Sequence, residues 1–307
     1  MSPTTPTPAD WYRRLVAPDH VRRLLELCRD EDLGPNRLDP TAALMVEQCR
    51  RAEAWVVARR GGIVSGLQAV GDILHVLAPS TKAHLLAQDG QRVEPGQCLA
   101  LLDGPWREIL AVERTLLNLL GRLSGVATET ARYVTALGDV SAVIVDTRKT
   151  TPGLRQLEKY AVLCGGGHNH RMGLYDAVLI KDNHLAGLSA SEAAQKVRRA
   201  AIEARRRFSL SFVEVEVDTI DQLEAMLGIE PGLLDIILLD NMGLEDMRQA
   251  VAMRDARGQR PLLEASGGIA LDTLAEVAQT GIDRIAVGAI THHAVWLDIA
   301  LDAGAMA

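Results

Sequence analysis

Aromatic residues are scarce in this 307-residue chain, which has two phenylalanines, four tyrosines and four tryptophans. Leu, Val, Ile and Ala must therefore do most of the packing in a chain long enough for one large domain or two. Cysteine is equally sparse. Cys28, Cys49, Cys98 and Cys164 are scattered with no CxxC pair, which fits a reducing cytoplasm better than a disulfide framework. No apolar run approaches the roughly 18 residues of a membrane-spanning helix. Positive charge is not in excess either, and the formal net charge of -7 argues against a general binder of nucleic acid or membrane surfaces. Cations serving an anionic ligand would have to be gathered locally. The stretch Ser2–Pro8 is rich in Pro and Thr and has no apolar segment, so residues 1–9 are expected to form a disordered tail rather than a signal peptide.

What is present is concentrated in the second half. Six β-branched-rich runs end in charged, polar or Gly residues: Ala142–Val145, Ala177–Ile180, Phe212–Val217, Ile236–Leu239, Leu262–Leu263 and Ile285–Val287. Segments long enough for a helix separate them, which is the pattern of βαβ units and a parallel sheet. In a β/α barrel the active site lies at the carboxyl ends of the strands, where these polar residues fall. The expected fold is α/β, with an N-terminal α/β sandwich over residues 10–120 and an incomplete, TIM-like β/α barrel over 121–307. A C-terminal helix is expected to pack back on the N-terminal domain.

The first half offers less chemistry. Val21, Leu24, Leu25 and Cys28 have helical spacing, predicting an amphipathic helix over 10–30. From Ala54 to Leu102 short strand-like stretches alternate with turns. Leu110–Leu123 reads as a strong helix whose Arg114, Asn118 and Arg122 recur every four residues. That polar stripe is either a solvent face or a functional one.

The barrel segment carries the candidate chemistry. Arg148 and Lys149 follow the first strand and suit a carboxylate or phosphate. Three glycines precede His168, His170 and Arg171, letting the backbone approach a ligand closely. Cys164, His168 and His170 match no standard zinc spacing, so anion binding is the better reading. Lys181 is either a Schiff-base lysine or a further anion-binding cation. Glu214 and Glu216 sit two apart on one strand and share a face. With Asp240 they form a carboxylate set suited to magnesium held through a substrate's phosphates, or a set of ion pairs. Ser266-Gly267-Gly268 and Gly288 close late strands ahead of helices, where barrels seat phosphate. The arginines at 198–199 and 205–207 are expected to be solvated surface.

Taken together, these motifs resemble the quinolinate phosphoribosyltransferase family, also called carboxylating nicotinate-nucleotide pyrophosphorylases. The likeness runs from Glu113-Arg114, Asn118 and Ser124-Gly125 through Asp146–Gly153, Gly165–Asn183, Glu214–Glu216, Leu239–Asn241, Glu264–Ile269 and Ala286–Thr291. Gly165–Leu174 followed by Ile180–His184 is its most specific part. It is looser in the first hundred residues, where Leu38 and Ser65 stand in place of the family's usual Gly and Ala. The resemblance implies phosphoribosyl transfer from phosphoribosyl pyrophosphate to quinolinate with decarboxylation, a step of NAD biosynthesis in the cytoplasm. It further implies a magnesium cofactor and a homodimer with shared active sites. Arg148, Lys149, His170, Arg171 and Lys181 would cage quinolinate, joined by Arg114 from the partner subunit. Glu216 and Asp240 would serve the magnesium and phosphoribosyl pyrophosphate, and Ser266, Gly267, Gly268 and Gly288 the 5′-phosphate. Other readings are a phosphoribosyltransferase for a related pyridine acid, a molybdenum-associated paralogue, a Schiff-base aldolase using Lys181, and a non-catalytic binding protein.

Overall fold

The computed structural model describes residues 6–258 and 260–304. The chain divides into two compact units, one drawn from Met1–Ala131, Thr150–Gly166 and Ile290–Ala307, the other from Arg132–Lys149 and Gly167–Ala289.

In the first unit, order begins before the expected end of the tail. Thr7 caps a helix over Pro8–Leu15 by accepting the Asp10 amide, and the Asp10 carboxylate accepts the Thr7 amide in return. Residues 1–5 of the expected tail lie outside the described residues. The single helix expected over 10–30 is two, Pro8–Leu15 and Pro18–Leu33. Pro18 has no amide to donate and holds Ala17 in extended backbone, so the helix must restart with proline at its first position. The strands β1 (Arg51–Ala58), β2 (Gly62–Ile63), β3 (Lys82–Leu85), β4 (Arg92–Val93) and β5 (Cys98–Pro105) follow. The β5 strand pairs antiparallel with both β1 and β3, while β2 pairs with β4.

The helix read over Leu110–Leu123 extends to Trp106–Leu137. Val126, Ala127, Thr130, Tyr133 and Leu137 prolong its buried stripe at helical spacing. Gly125 is required by packing. A Cβ there would stand 2.3 Å from the carbonyl oxygen of Val295, so the backbone crosses the helix where no side chain fits.

The second unit is built on six parallel strands: β6 (Val143–Val145), β7 (Val178–Ile180), β8 (Val213–Val217), β9 (Ile236–Asp240), β10 (Leu262–Ser266) and β11 (Arg284–Ala286). Their order is β6-β11-β10-β9-β8-β7, and helices such as Ala190–Arg207, Ile220–Leu227 and Leu244–Asp255 alternate with them. This is the expected incomplete barrel. Beside β6 the ladder is continued by an extended piece at His168, whose amide donates to Ile144 at 2.8 Å and whose carbonyl accepts from Asp146 at 3.0 Å. Two-residue Leu262–Leu263 proves too short a reading, because Glu264 is a fully buried member of β10, bonded at 2.7 Å by Arg284 Nε on β11. The Arg-rich helix lies at the surface, with Arg205 on Asp235 and Arg206 on Glu203, both at 2.7 Å.

The chain end overturns one expectation. Instead of a C-terminal helix, β12 (Ile299–Ala303) joins the first unit's sheet as an edge strand antiparallel to β1. The edge of β1 offers a ladder of amides and carbonyls, and pairing with it satisfies the terminal backbone along its length.

Candidate active site

Every expected site residue except Arg114 belongs to the second unit, at or just beyond the carboxyl ends of its strands. The organising group is Asp146, fully buried directly after β6. Its Oδ1 accepts the amide of His170 at 2.9 Å and its Oδ2 accepts the side-chain amide of Asn169 at 2.7 Å. Asp146 lies within the Asp146–Gly153 motif, but its spacing alone assigns it no role. Its position directly after a β-branched run, ahead of two cations, was the available signal.

Arg148 and Lys149 follow it at the surface, with the Lys149 amide donating to Thr147 Oγ1. Arg171 is buried. Burial and the nearby Arg148 guanidinium both hold Arg171 below the usual arginine range. Two cations brought close in partial burial raise each other's energy, and an anion placed between them would lower it. Asp176 fixes the next turn by accepting the amides of Met172 and Gly173, each at 2.8 Å.

His170 does not face outward as the expected cage requires. Its Nδ1 accepts the Arg171 amide at 2.8 Å, and its Nε2 lies 2.8 Å from Glu214 Oε2 and 3.4 Å from Glu264 Oε1. The ring edge-packs on Phe212, with centroids 5.1 Å apart. Both ring nitrogens thus engage protein groups: the alternation of β8 brings Glu214 to Nε2 from the same face as Glu216, and the next backbone amide reaches Nδ1.

Lys181, just beyond β7, places its Nζ 2.5 Å from Glu216 Oε2 on β8. That ion pair is the opposite of the desolvated neutral amine a Schiff base needs. Asp182 and Glu216 also surround Asp218, which burial first and then these two carboxylates raise above its ordinary value. Asp240 ends β9 in register with Ser266 and accepts the Asn241 side-chain amide at 2.7 Å. Glu214, read in sequence as part of the same carboxylate set, is separated from it by depth: it is fully buried against His170.

After β10 the chain turns sharply at Gly267 and Gly268, with φ of +96° and +59°. A Cβ on Gly267 would stand 2.1 Å from Asn241 Oδ1, so only glycine fits there. The helix expected directly behind this loop begins only at Leu274, and Gly288 leads into a four-residue helix, Ala289–His292. What these two loops offer is therefore turn amides rather than the ends of long helices. The stripe on the long helix divides as well. Arg114 and Asn118 are exposed, whereas Arg122 is buried on Glu158.

Two family models divide the sequence near residue 125, so the second spans the whole second unit together with parts of the first. The family model described as the N-terminal domain of quinolinate phosphoribosyl transferase matches residues 39–124, and that of its C-terminal domain matches residues 126–302. The carboxylating nicotinate-nucleotide pyrophosphorylase of Mycobacterium leprae is 43% identical over 290 residues, covering 94% of this chain and 97% of that protein. The probable carboxylating nicotinate-nucleotide pyrophosphorylase of Bacillus subtilis is 39% identical over 283 residues, covering 92% and 93%. The solved structure of the nicotinate-nucleotide pyrophosphorylase from Francisella tularensis is similar with a TM-score of 0.83 at 36% identity, covering 94% of this chain and 98% of that one.

Proposed function

This chain belongs to the quinolinate phosphoribosyltransferase family, and from that premise we propose its reaction: transfer of the phosphoribosyl group of phosphoribosyl pyrophosphate to quinolinate. Pyrophosphate and carbon dioxide are released and nicotinate mononucleotide is formed, a step of NAD biosynthesis. The observation that carries this reading is the meeting of Arg148, Arg171 and Lys181 with Glu216, Asp240 and the Gly267–Gly268 turn at one end of the barrel strands. Cations for a dicarboxylate, carboxylates for a metal–pyrophosphate and turn amides for a phosphate are the three needs of this substrate pair.

In this reading Arg148, Lys149, Arg171 and Lys181 clamp the two carboxylates of quinolinate, with His170 beneath them. The clamp turns the ring nitrogen toward the anomeric carbon. The nitrogen attacks as pyrophosphate leaves through a cation-like sugar, comparable to that of glycoside cleavage. As carbon dioxide departs, the electrons of the C2–carboxylate bond stay on C2 beside the positively charged nitrogen, and this ylide takes a proton from water to give the nicotinate ring. No protein nucleophile is used, so rate comes from positioning and electrostatics. Glu216 and Asp240 offer hard oxygen donors on neighbouring strands, β8 and β9, and these fit magnesium carried mainly by the substrate's phosphates. The metal, when bound, supplies charge neutralisation at the departing pyrophosphate. Because Lys181 already neutralises Glu216, Asp240 is the more available of the two carboxylates. Ser266, Gly267, Gly268 and Gly288 receive the 5′-phosphate. The working form is a homodimer, with Arg114 completing the partner's site, and its place is the cytoplasm. No helix among the described residues is long and apolar enough to cross a membrane.

Carbon dioxide release from carboxyl-labelled quinolinate tests the proposal. Release should require phosphoribosyl pyrophosphate and a divalent cation. Release without phosphoribosyl pyrophosphate, or turnover of nicotinate in place of quinolinate, would overturn it.

A further inference from the structure

Beneath the proposed substrate clamp lies a buried cluster with no role in the chemistry above. Glu214 and Glu264 are both fully buried. Their Oε2 and Oε1 atoms bracket His170 Nε2 at 2.8 and 3.4 Å, while Glu264 Oε2 is held by Arg284 Nε at 2.7 Å. The Phe212 ring closes the remaining side of the imidazole, and Asp146 holds the backbone amide of His170 from β6. On its other edge, His170 Nδ1 receives the amide of Arg171.

We infer that Glu214 and Glu264 are positioning residues, seating His170 so that its Nδ1 fixes the backbone of Arg171 under the pyridine dicarboxylate. The inference rests on the quinolinate reading above. Its physical content is the orientation of one ring. A histidine offered an acceptor at Nε2 and a donor at Nδ1 has one neutral tautomer that satisfies both, with the proton on Nε2. Burial pulls the ring's pKa down, but the two carboxylates outweigh it and push it up to about 9. The Arg171 amide requires a lone pair on Nδ1 and so opposes the doubly protonated ring. Under either pull the Nε2 proton stays, and the carboxylates orient it by charge and proximity.

Two features separate this seat from an element of stability. Neither oxygen of Glu214, nor Oε1 of Glu264, makes a well-aligned hydrogen bond among the described residues, although all three are buried. Buried carboxylates satisfied only by proximity stabilise a fold poorly, and apolar replacements of such groups are often neutral. The second feature is the electrostatic order from the core outward: carboxylates, then imidazole, then the amide and guanidinium of Arg171. The same three residues invite a metal reading, since their ligand atoms lie within 4.8 Å of one another. Two observations disfavour it. Nε2 and Oε2 at 2.8 Å are closer than the roughly 3.4 Å that ligand bonds of about 2.1 Å impose around a tetrahedral ion. Arg284, itself a cation, already holds Glu264.

The test uses the full-length protein and the variants Glu214→Gln and Glu264→Gln. Both keep side-chain shape while removing charge and one acceptor oxygen. Each should raise the KM for quinolinate roughly tenfold, the size seen when a group supporting a ligand residue is lost. The KM for phosphoribosyl pyrophosphate should stay within about twofold, and the melting temperature should stay near wild type. A wild-type protein unable to release carbon dioxide from quinolinate would dismiss the functional reading itself. An active wild type whose variants keep the original quinolinate KM would dismiss only the positioning role. Loss of cooperative melting in both variants would make the pair structural and overturn the inference. So would stoichiometric metal in the purified wild type that disappears in both variants.

Discussion

Each unit buries an ion pair, and the two are finished differently. In the first, Arg122 donates through Nε and Nη2 to Glu158 Oε1 at 2.9 and 2.8 Å, and its remaining donors reach the carbonyls of Thr291 and Ala294. Glu158 Oε2 accepts the amide of Thr151. Both oxygens of the carboxylate are used. In the second, neither oxygen of Glu214 has a well-aligned partner, and the surrounding charges are stacked toward one open end. A buried pair whose groups are all satisfied fixes architecture, because removing one partner leaves a charge with no water to receive it. A buried set left under-satisfied at the site end of the strands has a different character, since its charges are not there to close the fold. The difference is that between a pair closed on itself and a set left partly open, and it agrees with the site proposed above.

The largest expected effect is on catalysis, and it should leave folding untouched. Arg148→Ala and Arg114→Ala should each be nearly inactive with unchanged melting temperatures. Mixed dimers of the two would hold one site with both lesions and one with neither. Since a random mixture places at most half its protomers in mixed dimers, about a quarter of wild-type activity should return if the homodimer is symmetric and its sites independent. Mixtures verified to contain heterodimers yet still inactive would remove Arg114 from the site. Exhaustive chelation should abolish turnover to a similar degree, restored by magnesium, and full activity after chelation would remove Asp240 and Glu216 from metal binding.

Next in size, and reversed in kind, is Glu158→Ala. Leaving Arg122 buried without its carboxylate should cost about 3–5 kcal/mol, seen as a melting temperature lower by on the order of 10 °C. A melting temperature like that of wild type would break the contrast between the two pairs. Smaller again is Arg171→Lys. A guanidinium grips a carboxylate with two parallel donors and an ammonium cannot, so quinolinate affinity should fall about tenfold with the fold intact. Unchanged affinity in isothermal titration would take Arg171 out of the clamp. Smallest is Arg198→Gln, which removes an exposed pair with Glu230. Neither melting temperature nor quinolinate KM should move measurably, and a change in either would show that the helix surface is not inert.

Much of this was legible in the chain itself. β-branched runs separated by helix-length segments specified a parallel barrel, because a strand buried on both faces needs apolar residues throughout. The polar residue that follows such a run falls at the barrel's carboxyl end, so the linear pattern alone assigns Arg148, Lys181, Asp240 and Ser266 to one end. The glycines at 267 and 268 announced a turn through φ values that other residues avoid. Where short-range pattern met a competing local rule, the reading slipped by a turn or two, as at Pro18 and at Glu264 inside β10.

Tertiary structure alone decided which charges look outward. Spacing placed Arg114, Asn118 and Arg122 on one stripe, yet Arg122 turns in to a carboxylate 36 residues along the chain. Spacing likewise paired Glu214 with Glu216 on one strand face. It could not tell that the first meets an imidazole from the 167–171 segment and the second an ammonium from the end of β7. The chain end became a strand rather than a helix because β1 offered an unpaired edge. Local sequence fixes conformation through sterics and hydrogen bonds a few residues apart. The environment of a charge is set by groups that reach it only when distant strands close side by side, and that closure is what a linear pattern does not contain.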